Sequence, residues 1–242
     1  MRDRELATRA GRCGAPPTPR VRAFWTALLT LPAIAAYLSP ALTGWLQLDR
    51  ERLLAGELWR LVSGHWTHWT TDHLLWDLVV FGLLLSLGLK RSPRRTLLLL
   101  LVAAPAISLA VLLLQPELGL YRGLSGLDAA LFVLVGLLQL RRAVAYGDRR
   151  LTLLVGVLLL SFVAKVTFEY VTGGTLFVDS SGAGFVPVPL AHLVGGLCGI
   201  VLAWVRRIDA PAAASGWLNL PSGSRSVFAA GPAARPRARS QP

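Results

Sequence analysis

Six apolar stretches punctuate the chain, at about residues 24–46, 73–89, 96–114, 124–140, 151–171 and 188–205. Each approaches the roughly 20 residues that an α-helix needs to cross a bilayer. Residues 1–23 are polar, basic and rich in Pro and Gly, and read as a disordered cytoplasmic tail. Residues 208–242 are rich in Ala, Pro, Gly, Ser and Arg and read as a second one. The expectation is an all-α membrane protein, with one six-transmembrane-helix bundle over residues 24–207 between two loose ends. Ala33-Ile34-Ala35 resembles a signal-peptide cleavage site. The apolar run continues past it, so an uncleaved first helix is expected.

Composition agrees with this pattern. Of 242 residues, 54% are hydrophobic and 16% charged, whereas a soluble domain carries about 25% charged residues. The net charge of +12 does not point to nucleic acid. The arginines stand between apolar runs, without the interleaved aromatics of a nucleic-acid groove. Their distribution is a topology signal. Cations cluster before the first segment, at Lys90, Arg91, Arg94 and Arg95, at Arg141, Arg142, Arg149 and Arg150, and after the sixth segment. The alternate loops hold only Arg50, Arg52, Arg60 and Arg122. Both termini are therefore expected in the cytoplasm of a bacterial inner membrane, and segments four and six enter from the periplasmic side. Cys13 and Cys198 lie in a tail and an apolar run, and form no disulfide framework.

That topology brings two residues to one depth. Ser125 opens segment four, in Gly123-Leu124-Ser125-Gly126, and His192 lies near the start of segment six. A serine hydroxyl becomes a useful nucleophile when a base within about 2.6–3.2 Å takes its proton. Helix axes normally stand about 8–10 Å apart, so short side chains meet only where small residues let backbones approach. Gly126 and Ala130 supply such a face on one segment, and Gly195 and Gly199 on the other. A serine in a membrane helix more often bonds its own backbone, but an intramembrane histidine is a functional candidate by default.

A third cluster spans Trp59 to Asp77 and includes His65, His68 and His73. The tryptophans suit an interfacial belt. A metal site is disfavoured, because the His spacing does not match a helical zinc pair and no cysteine completes a set. His73 and Asp77, four apart, share a helix face. A donor there suits the negative oxygen of an attacked carbonyl.

The order Trp59-Arg60, His68, His73, then Gly123-Leu124-Ser125-Gly126, then Ala191-His192 with Gly195 and Gly199, resembles the rhomboid intramembrane serine proteases. The resemblance covers most of the membrane region. Within the family it is nearest the rhombosortase branch, on the compact core, Leu75-Trp76-Asp77-Leu78, and Lys165 with Glu169. The resemblance implies Ser125 as nucleophile and His192 as base. It also implies His73 as oxyanion donor with help from the Ser125 backbone amide, Gly123 as an auxiliary position, His68 as a structural loop histidine, and Arg60 as the arginine that shapes the outer loop. No cofactor or metal is implied. The implied partners are the bilayer and transmembrane protein substrates, in the rhombosortase case exported proteins with a Gly-rich C-terminal sorting tail.

Two positions depart from the family pattern. Asp77 stands where many rhomboids have asparagine, and an ionised carboxylate only accepts hydrogen bonds. Either it is protonated or it orients His73. Ala129 replaces an aromatic, with Asp128 beside it, either solvated at the interface or functional. Lys165 and Glu169, four apart, form either a neutralised pair or a substrate-reading site. The rivals to a protease are a catalytically inactive rhomboid-like protein that binds transmembrane segments, and a small transporter with His73, Asp77, Lys165 and Glu169 along an ion path.

Overall fold

The computed structural model describes residues 17–174 and 188–205, all within one compact unit. Most of both expected tails, and Cys13, lie outside the described residues.

The first helix, α1, spans Pro19–Leu38, starting inside the stretch read as a tail. Pro19 occupies its first turn and Thr18 Oγ1 accepts from the Val21 N–H at 3.4 Å, a standard start signal. The expected single segment 24–46 is broken at Ser39-Pro40. A residue before proline is pushed out of the helical region, and Ser39 is extended, with φ −125°. Its side chain accepts from Leu42 N at 3.3 Å and caps the short helix α2, Pro40–Leu46.

A loop region follows. It holds β1 (Leu48–Asp49), α3 (Arg50–Leu54), α4 (Arg60–Ser63) and a 3₁₀ turn at Gly64–Trp66. The long helices are α5 (Thr71–Arg91), α6 (Pro93–Leu114), α7 (Ser125–Tyr146) and α8 (Arg149–Thr172). The strand β2 (Leu120–Tyr121) precedes α7, and α9 (Pro189–Trp204) is last. Thr70 caps α5 and Asp148 caps α8. Gly147, at φ +70°, ends α7 in the left-handed conformation that glycine adopts without cost.

Among the described residues, α1, α5, α6, α7 and α8 are long and apolar enough to span a bilayer, while α9 is a shorter apolar helix. α7 occupies the centre, with Leu127, Ala130, Leu131 and Leu134 fully enclosed. It packs against α5, α6, α8 and, most extensively, α9. α8 is peripheral: Leu153, Leu160, Val163 and Val171 are exposed, as lipid-facing residues should be. Only Val155 and Glu169 of α8 are buried. At the far end of α9, Arg95 Nη1 donates to Leu202 O (2.6 Å) and Ala203 O (3.0 Å), and Arg141 Nη1 donates to Ala203 O (2.7 Å). Arginines read as topology markers thus also satisfy the carbonyls left open at a helix C-terminus.

Candidate active site

Two small-residue faces bring α7 and α9 together at Ser125 and His192. A Cβ built on Gly126 would stand 3.2 Å from Ala191 O, the residue preceding His192. One built on Gly199 would stand 2.5 Å from Ala130 O, and one on Gly195 would overlap Gly126 O. The backbones therefore touch, as Gly126, Ala130, Gly195 and Gly199 led one to expect. Ser125 and His192 are both part-buried at this contact. The hydrogen bond that His192 makes among the described residues runs from Nδ1 to Glu169 Oε2 at 2.8 Å, not to Ser125. Catalytic Ser–His bonds are often long in a resting site and tighten when substrate arrives.

Ser125 is the first residue of α7, which carries no side-chain cap. The open N–H groups of its first turn are not consumed as those of α1, α2, α5 and α8 are by Thr18, Ser39, Thr70 and Asp148. The approach to Ser125 is held by Asp77. One carboxylate oxygen, Oδ2, accepts from Leu124 N at 2.8 Å and lies 3.2 Å from His68 Nε2 and 3.4 Å from His73 Nε2. An oxygen shared among a backbone N–H and two imidazoles acts as an acceptor. Of the two alternatives at Asp77, this geometry suits the orienting one. Gly123 makes the arrangement possible. Its φ is +122°, and a Cβ there would lie 2.8 Å from His73 Nε2 and 2.9 Å from His73 Cε1. His73 thus lies against the backbone of Gly123, two residues before Ser125.

The loop histidines separate. His65 turns away from His68 and bonds Ala104 O at 2.9 Å and Ser108 Oγ at 3.2 Å. Complete burial pushes its pKa down to about 4, opposed by its backbone hydrogen bonds, so it is a neutral packing group. The rings of His68 and His73 meet edge to face at 5.1 Å. Burial lowers the His68 pKa, with Asp77 opposing the shift.

Arg60 is fully buried, with Nε donating to Glu57 at 2.7 Å and Nη1 donating to Gly44 O (3.0 Å) and Gln47 O (2.7 Å). It ties α2 to α4. Arg60→Met is expected to strand these part-buried carbonyls and cost about 2–4 kcal/mol, read as a lowered thermal midpoint in detergent. Arg122, noted in the sequence only as a loop cation, has a positional part. Its Nε donates to Gln47 Oε1 at 2.8 Å, and its guanidinium stacks on Trp69 at 4.1 Å. The β1–β2 pairing, Leu48 opposite Tyr121 and Asp49 opposite Leu120, joins the same two chain segments. A two-residue ladder has no sequence pattern by which to be found.

Asp128 is buried, and its Oδ1 has no hydrogen-bond partner among the described residues. It is not the solvated interfacial residue that was one of its two readings. Lys165 Nζ donates to Glu169 Oε1 at 2.6 Å, the helix-local pair that their spacing suggested. The second oxygen of Glu169, the one on His192, was not foreseen.

Comparison with family models matches the Rhomboid domain over residues 55–208, which runs from the end of α3 through α9. Comparison with curated proteins returns no match.

Proposed function

Because this chain belongs to the rhomboid family, whose members are generally intramembrane serine proteases, we propose that it cleaves membrane-anchored proteins through Ser125 and His192. The observation that carries the reading is the glycine-lined contact between α7 and α9 beside the Ser125 hydroxyl and the His192 imidazole. His192 accepts the Ser125 proton as the oxygen attacks the scissile carbonyl, and a tetrahedral oxyanion forms. The open N–H groups of the uncapped first turn of α7 receive the developing charge, and His73 supports the turn that leads into it. Collapse breaks the C–N bond, and the departing amine takes the proton from His192. Water, or an amine in a transfer reaction, then releases the acyl group from Ser125.

The finer reading follows the charge bias: both termini in the cytoplasm and the site toward the periplasmic face of a bacterial inner membrane. Lys165 with Glu169 and the compact core support the rhombosortase branch, with Gly-rich C-terminal sorting tails as substrates. The shared Asp77 oxygen supports an active enzyme despite the missing asparagine, since it holds Leu124 and two histidines in place and does not project toward an oxyanion as a lone charge.

Labelling with a serine-reactive fluorophosphonate tests the reading. The protein in detergent micelles should label, and Ser125→Ala should lose the label entirely at an unchanged thermal midpoint. A wild-type chain that stays unlabelled, and leaves a co-expressed Gly-rich single-helix substrate intact, would instead be a non-cutting rhomboid-like binder.

A further inference from the structure

The described part of α8 faces outward almost everywhere, yet it buries a carboxylate. Glu169 is 2% exposed, on a helix whose other buried residue is Val155. A carboxylate is taken out of water at little net cost only when its lone pairs are used. Both oxygens of Glu169 are used, and by different partners. Oε1 accepts from Lys165 Nζ at 2.6 Å, one turn earlier on the same helix. Oε2 lies 2.8 Å from His192 Nδ1 on α9. Among the described residues, the neighbouring charges include Lys165 on α8 itself and Asp128 on α7, whose carboxylate lies within electrostatic reach of Lys165.

We propose that Glu169 is a positioning residue that makes His192 a base, so that the site works as a Ser–His–Glu relay with Lys165 holding the acid in register. The inference rests on the protease reading above. A carboxylate can only accept, so the ring nitrogen facing it carries the hydrogen. Nδ1–H donates to Glu169, and Nε2, on the opposite side of the ring, is left with the lone pair that Ser125 requires. The acid does not take the proton; it fixes the tautomer and stabilises the imidazolium that forms during attack. Lys165 adds direction. By occupying Oε1 it leaves Oε2 as the oxygen that meets His192.

The lysine makes a particular substitution informative. In Glu169→Gln the amide carbonyl is drawn to the Lys165 ammonium, and the NH₂ group then faces Nδ1. Nδ1 becomes an acceptor, the hydrogen moves to Nε2, and the ring cannot take the serine proton. Glu169→Gln is therefore expected to lower kcat by about 10³–10⁴-fold, with KM within about twofold. Removing the lysine as well frees the amide to turn its carbonyl toward His192. The double variant Lys165→Met/Glu169→Gln should therefore be faster than Glu169→Gln alone, by about tenfold or more. Lys165→Met alone keeps the carboxylate on Nδ1 and should cost about tenfold or less.

The experiment compares these three variants with the wild type and Ser125→Ala, in fluorophosphonate labelling rate, substrate cleavage and thermal midpoint. A fast Glu169→Gln enzyme, or a double variant no faster than the single, overturns the relay. If Glu169→Gln does not fold, Lys165→Met decides. A loss near 10³-fold there means that the pair serves only as an ion pair, and the relay fails; retained activity supports it. A wild-type chain that does not label at Ser125 defeats the protease reading itself, which is a distinct outcome.

Discussion

Replacing His192 by alanine is expected to reduce cleavage by about 10⁴–10⁶-fold, as removal of one member of a serine–base unit does. The loss should fall on kcat, because in the proposed mechanism the imidazole acts on the proton of Ser125 and not on the bound substrate helix. The fold should survive. His192 is only part-buried, and the close contacts that seat α9 are made by the backbone at Gly195, Gly199 and Ala191, which His192→Ala leaves in place. Glu169 keeps Lys165 at 2.6 Å when the imidazole is gone, so its carboxylate is not left without a partner. Cleavage of a single-helix substrate, with the thermal midpoint as control, checks this. Turnover near the wild-type rate would require another base, and no other imidazole lies on α9.

Gly195→Ala is expected to be the most damaging single methyl group in the membrane core. The added Cβ would overlap Gly126 O and stand 3.0 Å from Gly126 C and 3.3 Å from Ala130 N. All three are backbone atoms, so no rotamer change relieves the clash. The helices must part, at about 3 kcal/mol or more, and the parting occurs one turn from His192. Stability and fluorophosphonate labelling should therefore fall together. Gly156→Ala on α8 is the control, since a Cβ there meets nothing within 4 Å and glycine inside a helix costs about 1 kcal/mol relative to alanine. That variant should be neutral or slightly stabilised, with labelling unchanged. A Gly195→Ala protein as stable and as readily labelled as the wild type would remove the close-packed seam from the account.

How legible each part was depends on the range of the interaction. Helix positions, the small faces on α7 and α9 and the Lys165–Glu169 pair arise from periods of about four residues, which a sequence displays directly. The break at Ser39-Pro40 was also written locally, but the apolar run around it masked the punctuation. Contacts set by packing were not readable. Glu169 and His192 are joined only because α8 and α9 lie side by side at that level. The i, i+4 lysine offered a complete local explanation for the acid and so concealed the distant one. The three clustered histidines, His65, His68 and His73, mislead in the opposite way. Close in sequence, they divide between the Ala104 carbonyl of α6 and the Asp77 carboxylate of α5. Arg122 had no distinguishing pattern, since its partners Gln47 and Trp69 are remote in the chain.

The shortness of α9 has a consequence for the surrounding lipid. Sixteen residues rise about 24 Å, against a hydrocarbon layer of about 30 Å. The carbonyls at one end are anchored by Arg95 and Arg141, so the shortfall of roughly 6 Å collects at the Pro189 end, where His192 lies. Local thinning of the bilayer beside that end is one way such a shortfall is matched. A hydrolytic reaction inside a bilayer needs a supply of solvent, and thinning of this kind would deliver it to the imidazole without a pore through the protein.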